Sequence, residues 1–297
     1  MSFLSITDVG PEGLGRLVEL SMDLKRDPDP HRGVLAGKSV GLFFEKPSLR
    51  TWVSSTAAAA LLGAHPIPIH QQTSGVGTRE EPADVARVLD GYLDVLGMRV
   101  FEHSLLEELD AHMEAPVVNL LSDWEHPCQA VADVVTIAEQ RSLAGSSLAY
   151  VGDGNNVCHS LMLAGTMAGM EVRVGCPPGY RPDAGVVSRA REWGTVSIFD
   201  HPAPAVEGAD AVYTDVWTSM GQEDESAERL SAFEGFTVDT ALMERASPDA
   251  VFMHCLPAHR GEEVTAEVLE SPRSVVFDQA ENRLHSFAAL LLDLLSA

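Results

Sequence analysis

The chain is poor in cysteine, in positive charge and in long apolar runs, and each shortage excludes something. Its four cysteines, Cys128, Cys158, Cys176 and Cys255, form no CxxC pair, and no His/Cys cluster has the spacing of a zinc site. With 297 residues it does not depend on disulfides for stability, so reduced thiols are expected. Lysine and arginine total 20 against 44 acidic residues, a formal net charge of -24. So acidic a surface repels nucleic-acid phosphates and anionic membranes, and neither is expected as a partner. No apolar segment approaches the roughly 20 residues needed to cross a bilayer. The opening MSFLSITDVGPEGLGRL lacks a basic stretch followed by an apolar run, so no signal peptide and a cytoplasmic location are expected. Low-complexity tracts and short-period repeats are also missing.

What is present is alternation. Apolar residues make up 45 % and charged residues 22 %, the balance of a soluble globular protein, and the length suits one large domain or two medium ones. Short β-rich runs at Ser39–Phe44, His65–His70, Val95–Phe101, Ala115–Leu120, Ser147–Val151, Glu171–Gly175, Ala211–Thr214, Ala250–His254 and Ser274–Phe277 read as strands. Helical stretches separate them: Ala57–Leu62 lies in an alanine-rich helix, Val85–Leu93 and Leu105–His112 have helical periodicity, and a long helix runs from about Pro127 to Gln140. Such alternation predicts an α/β protein of two doubly wound lobes with mainly parallel sheets, joined by bridging helices. The helix near 127–140 is the natural bridge, and a last helix, Gln279–Leu295, folds back onto the first lobe.

Ligands of such sheets bind at the carboxyl ends of strands, so the residues following each strand matter most. Ser48-Leu49-Arg50-Thr51 follows a proline and opens a helix; free N–H groups, two hydroxyls and a guanidinium make a phosphate cradle, and an ordinary capped helix with a solvated arginine is the alternative. Arg99 interrupts an apolar strand and needs a carboxylate or an anionic ligand. His126 and Gln129 stand where the long helix starts and suit a carbonyl or an amide, or a structural role. Gly152-Asp153-Gly154-Asn155-Asn156 is an incomplete dinucleotide fingerprint, with Val157 in place of the third glycine; its other use is a tight turn that displays Asn156. Asp215, before Ser219-Met220-Gly221, offers a carboxylate for an ammonium group or an ordinary loop acid. Cys255 ends a strand as a thiol beside Leu256, and Arg283 begins the last helix.

SLRT, HPCQ, GDGNN, DVWTSMG, HCLPAHRGEEVT and DQAENR occur in this order, and the set resembles the ornithine carbamoyltransferases within the aspartate/ornithine carbamoyltransferase family. The resemblance runs from about Gly41 to Leu290, and the HCLPAHRGEE and SMG elements favour the ornithine branch. It implies a carbamoyl-phosphate domain at 1–130, completed by 279–297, and an amino-acid domain at 131–278. It implies phosphate contacts from Ser48, Leu49, Arg50 and Thr51, carbamoyl contacts from Arg99, His126 and Gln129, and closure by Arg283 on the same substrate. Asn156, Asp215, Ser219 and Met220 are implied to hold ornithine, with Cys255 and Leu256 beside the reacting amine and the bound carbamoyl group. Arg50, His126 and Cys255 are the implied catalytic residues. No metal or other cofactor is implied, and a homotrimer and a place in arginine biosynthesis are.

Two departures bear on substrate. The family motif continues with arginine after the threonine, where this chain has Trp52. In Gln72–Glu80 the family's glutamine or histidine is replaced by Gly75, with Arg79 as the cation of that segment. These leave open a carbamoyltransferase for another amine, such as lysine, putrescine or an acylated ornithine, or a catalytically silent paralogue.

Overall fold

A computed structural model describes residues 1–218 and 223–295. The chain divides into two units, Met1–Val135 with Glu281–Ala297, and Thr136–Ala280.

The strands are β1 (Ser39–Phe44), β2 (His65–His70), β3 (Val95–Arg99), β4 (Val117–Leu121), β5 (Ser147–Val151), β6 (Glu171–Gly175), β7 (Val196–Phe199), β8 (Ala211–Thr214) and β9 (Val251–His254). The helices are α1 (Gly10–Arg26), α2 (Leu49–Leu61), α3 (Gln71–Ser74), α4 (Pro82–Asp90), α5 (His103–Asp110), α6 (Pro127–Gln140), α7 (Asn156–Met167), α8 (Ala184–Ala190), α9 (Pro202–Val206), α10 (Ser226–Ala232), α11 (Thr240–Met243), α12 (Ala266–Leu269) and α13 (Val276–Leu295). The chain leaves the first unit within α6 and returns within α13. Among the described residues no helix is long and apolar enough to cross a membrane.

The first unit carries a four-stranded sheet in the order β2-β1-β3-β4, and every pairing is parallel. β2 holds two prolines and is an edge strand, where a missing N–H costs least. The core gathers Phe43, Leu96, Met98 and Val117 from the strands with Ala86, Leu106 and Leu109 from the helices. The second unit carries a five-stranded parallel sheet, β7-β6-β5-β8-β9. Its core joins Ala149, Val151, Val212 and Phe252 to Trp217, Phe233, Val264 and Val276.

Both orders contain one switch point. In the first sheet the chain goes from β1 outward to β2, then returns to build β3 and β4 on the other side, so β1 and β3 flank the switch. In the second, β5 and β8 flank it. Loops leaving two neighbouring strands in opposite directions open a crevice at their carboxyl ends.

One expected strand is corrected. Ser274–Phe277 forms only a single bridge, Phe252 to Ser274, and α13 already starts at Val276. Its two valines are β-formers, but Val276 is buried in the core as part of a helix, and tertiary packing outweighs local propensity. The four-residue edge strand β7 was not anticipated; VSIF is short and half-buried.

Candidate functional site

The switch point of the first sheet assembles a cationic group. β1 ends at Phe44, and the chain turns through Lys46 and Pro47 into α2, whose N-cap is Ser48. The Ser48 backbone is extended and its hydroxyl accepts a hydrogen bond from the Thr51 N–H at 3.3 Å. The N–H groups of Leu49 and Arg50 belong to the first helical turn, which has no intrahelical acceptors. Leu49 turns its side chain to solvent, 73 % exposed, so its backbone is the part suited to an anion. Thr51 is buried, and its hydroxyl accepts a 2.5 Å hydrogen bond from Nη2 of Arg283, itself buried on α13.

Arg99 ends β3 at a register shift against β4, an irregularity that re-aims a side chain, and it is 8 % exposed. His126 and Gln129 are buried at the start of α6. Gln129 donates to Asp133 Oδ1 at 2.8 Å, and its own carbonyl oxygen is buried with no hydrogen-bond partner among the described residues. Burial, followed by the charges of Arg283 and Arg99, holds the His126 imidazole well below its usual pKa. His126 is therefore a neutral hydrogen-bonding group in a positive field. Burial likewise pushes the Cys128 thiol up to about 12, against the pull of Arg283, and its S–H donates to the Asn119 carbonyl.

The switch point of the second sheet assembles an acidic group. After β5 the Gly152–Asp153–Gly154 turn leads into α7. A Cβ on Gly154 would lie 2.1 Å from the Pro182 nitrogen, so no larger residue fits that close approach. Asn155 caps α7: its Oδ1 accepts from the N–H groups of Val157 and Cys158 at 3.0 and 3.1 Å. Its Nδ2 donates to Asp215 Oδ2 at 3.2 Å, across the switch point from the end of β8. The other Asp215 oxygen accepts from the Cys255 thiol at 3.1 Å. Both donors are neutral, and no cationic side chain pairs with Asp215 among the described residues. Asp215 is thus a buried acid whose two oxygens accept from an amide and a thiol. Asn156, the first residue of α7, is partly exposed at this crevice.

Two supports hold these groups. Leu256 has a left-handed φ of 59°, and its N–H donates to His254 Nδ1 at 2.8 Å. That bond assigns the His254 proton to Nε2, which faces Glu263 Oε1 at 3.1 Å; both side chains are fully buried. Arg229 of α10 binds Asp153 at 2.7 Å, the Trp217 carbonyl at 3.0 Å and Glu225 at 2.9 Å. It ties the loop after β5 to the loop after β8. Burial raises the Asp153 pKa even though Arg229 opposes it.

The expected residues therefore fall into two groups. Ser48, Leu49, Arg50, Thr51, Arg99, His126, Gln129 and Arg283 lie in the first unit, and Asn156, Asp215, Cys255 and Leu256 in the second. Ser219 and Met220 lie outside the described residues. The departures have structural partners: Trp52 packs edge-on against His70, ring centroids 5.5 Å apart, and Gly75 adopts a left-handed φ of 69° under the Arg79 side chain. A side chain at 75 would meet that arginine.

Sequence reasoning missed Lys46, Asn155 and Arg229. Asn155 was legible as an N-cap ahead of an apolar helix. Arg229 left no signal, because its partner Asp153 is 76 residues away. Spacing also gave no sign that ligand atoms of Asp215, His254 and Cys255, or of His259, Glu262 and Glu263, lie within 4.8 Å of one another.

Residues 1–139 match the profile of the "Aspartate/ornithine carbamoyltransferase, carbamoyl-P binding domain", and residues 144–294 that of the "Aspartate/ornithine carbamoyltransferase, Asp/Orn binding domain". An ornithine carbamoyltransferase of Methanoculleus marisnigri is 48 % identical over 298 residues, covering 99 % of this chain and 96 % of that protein. The solved ornithine carbamoyltransferase of Pyrococcus furiosus superposes with a TM-score of 0.96 at 44 % identity, over 100 % of this chain and 97 % of that one. That of Thermus thermophilus gives 0.91 at 45 % identity, over 99 % and 98 %. The chain belongs to the aspartate/ornithine carbamoyltransferase family.

Proposed function

We propose that the protein transfers the carbamoyl group of carbamoyl phosphate to the side-chain amine of ornithine, forming citrulline and phosphate. The observation that carries this reading is the opposite sign of the two switch points. One gathers Arg99, Arg283 and a neutral His126 behind a helix N-terminus that bears Arg50, and the other holds Asp215 without a cationic partner among the described residues. The first suits a doubly charged phosphoanhydride and the second an amino acid.

In this reading the N–H groups of Leu49 and Arg50, the Ser48 and Thr51 hydroxyls and the Arg50 guanidinium take the phosphate. Arg99 and the neutral His126 donate to the carbamoyl oxygen, and the unpartnered carbonyl of Gln129 accepts from the carbamoyl NH2. Arg283 adds its charge on the same side. Asp215 and Asn156 hold the ammonium and carboxylate of ornithine, with Cys255 and Leu256 beside the reacting amine. Attack of the neutral amine on the carbonyl carbon places negative charge on the oxygen, and loss of phosphate moves it onto the leaving group. Fixed arginine and histidine donors stabilise both charges more in the transition state than in the ground state.

Three further properties belong to the proposal: a homotrimeric assembly, a cytoplasmic location and a role in arginine biosynthesis. Exposed Leu49, Trp52 and Val53, which share one face of α2, support self-association. The test of function is citrulline formation by the purified protein from carbamoyl phosphate and ornithine. Removal of Arg50 as Arg50→Ala is expected to lower kcat/KM by about 10^2-fold or more. Absence of citrulline under all buffer conditions refutes the proposal.

A further inference from the structure

The chain contains only three lysines, Lys25, Lys38 and Lys46. Two are committed to polar partners. Lys25 donates to Asn282 Oδ1 at 2.8 Å, with Glu281 at 3.9 Å, and Lys38 pairs with Asp94 at 2.9 Å. Lys46 makes no such pair. It is 8 % exposed, and its Nζ lies over the Phe101 ring, 4.2 Å from the centroid. The two carboxylates close enough to act on it, Glu45 and Asp123, are engaged by backbone: Glu45 Oε2 accepts from the Phe101 N–H at 2.6 Å and Asp123 Oδ1 from the His103 N–H at 2.8 Å. The Arg99 guanidinium repels the ammonium. The residue stands at the carboxyl end of β1, two positions before the N-cap of the proposed phosphate cradle.

We propose that Lys46 is a carbamoylation site, its amine adding to the isocyanic acid that carbamoyl phosphate sheds. The source of the reagent rests on the substrate proposed above. Carbamoyl phosphate breaks its C–O bond, passes a nitrogen proton to the departing phosphate and leaves HN=C=O. The lone pair of the neutral Lys46 Nζ attacks the carbon, an N–C bond forms, and the amine proton moves to the isocyanate nitrogen. The product is a neutral ureido side chain, with no other co-reactant and no leaving group. Burial first, and then the charge of Arg99, hold the Lys46 pKa below the usual lysine value, which enlarges the fraction of reactive neutral amine. The modification removes one positive charge from the group formed with Arg99.

The test is peptide mapping of the full-length folded protein during timed exposure to potassium cyanate at neutral pH, with Lys25 and Lys38 as internal standards. The expected result is labelling of Lys46 several-fold faster than of either other lysine, with that preference lost in guanidinium chloride. Labelling of Lys25 or Lys38 as fast as Lys46 in the folded protein overturns the proposal. A parallel incubation with carbamoyl phosphate is expected to give the same order; cyanate labelling without carbamoyl phosphate labelling overturns the assignment of its source. Because cyanate needs no enzymatic turnover, cyanate labelling of Lys46 in a protein that makes no citrulline leaves this site standing while the proposed function falls.

Discussion

Replacing Arg229 by methionine tests whether the two loops of the second switch point are held by charge. The Arg229 and Asp153 side chains are 9 % and 12 % exposed, so the pair is nearly buried. Deleting one partner of such a pair costs about 3–5 kcal/mol, because the remaining charge stays desolvated. The second carboxylate, Glu225, is 57 % exposed and adds little. Asp153 keeps slight solvent access, and methionine retains most of the packing on Tyr180, so about 3 kcal/mol is expected. With a urea m-value near 3 kcal/mol/M, that is a midpoint shift of about 1 M. Trp217, stacked on Phe233 and held through its carbonyl by Arg229, is a local fluorescent reporter. The pH dependence has a sign. The folded-state pKa of Asp153 is already raised, chiefly by burial, and losing Arg229 raises it further. A carboxyl with a raised folded pKa favours the folded state below its unfolded value of about 3.9, and that advantage is lost as pH rises through the folded pKa. The deficit of Arg229→Met is therefore largest at pH 7 and narrows on acidification, and Asp153→Asn in the same background restores part of it. A variant within about 1 kcal/mol of the parent, or a deficit that does not change with pH, refutes the clamp.

Other perturbations separate the parts of the site. Asn155→Ala removes the cap of α7, about 1 kcal/mol by thermal unfolding, and one donor to Asp215; steady-state kinetics are expected to show a raised KM for ornithine with that for carbamoyl phosphate unchanged. Gly154→Ala sets a methyl group against the Pro182 backbone, and a loss of about 3 kcal/mol is expected in urea unfolding. His126 has a depressed folded pKa, so its contribution is intact above the unfolded value of about 6.5 and is lost as pH falls below it. His126→Gln is expected to flatten the decline of stability between about pH 6.5 and 5, measured by chemical denaturation across that range.

The fold was legible because nearly every strand of both sheets is a short apolar run ending in polar residues, and strand ends are where local sequence and ligand position coincide. Ser39–Phe44 and its SLRT sequel carry their own explanation: an apolar strand, a proline, an N-cap and a basic first turn. What failed to show were relations between distant positions. Val275 and Val276 read as strand because β-branching is local, whereas the core that takes Val276 into a helix is tertiary. Lys46 gave no local signal, since its depressed pKa depends on burial in the folded protein and on Arg99, more than fifty residues away. The sequence pattern placed Asp215 after a strand, but that its two oxygens are met by an amide and a thiol depends on the β5–β8 pairing.

The acidic excess and the cationic group are parts of one argument. With 44 acidic residues against 20 basic ones, an arginine has abundant partners, and the surface arginines take them: Arg26 with Asp23, Arg32 with Asp29, Arg87 with Asp84, Arg245 with Glu207. At the first switch point the cations also meet neutral groups. Arg283 meets a threonine hydroxyl, Arg99 and Arg283 press on a neutral histidine, and Lys46 rests on a ring. β1 and β3, whose following loops leave in opposite directions, bring these cations to one end of the sheet. Their summed positive potential favours a small dianion there. Reversing one of these charges is accordingly expected to harm binding far more than adding one acid to the already acidic surface, and comparing Arg99→Glu with a surface Arg26→Glu by isothermal titration with carbamoyl phosphate measures that difference directly.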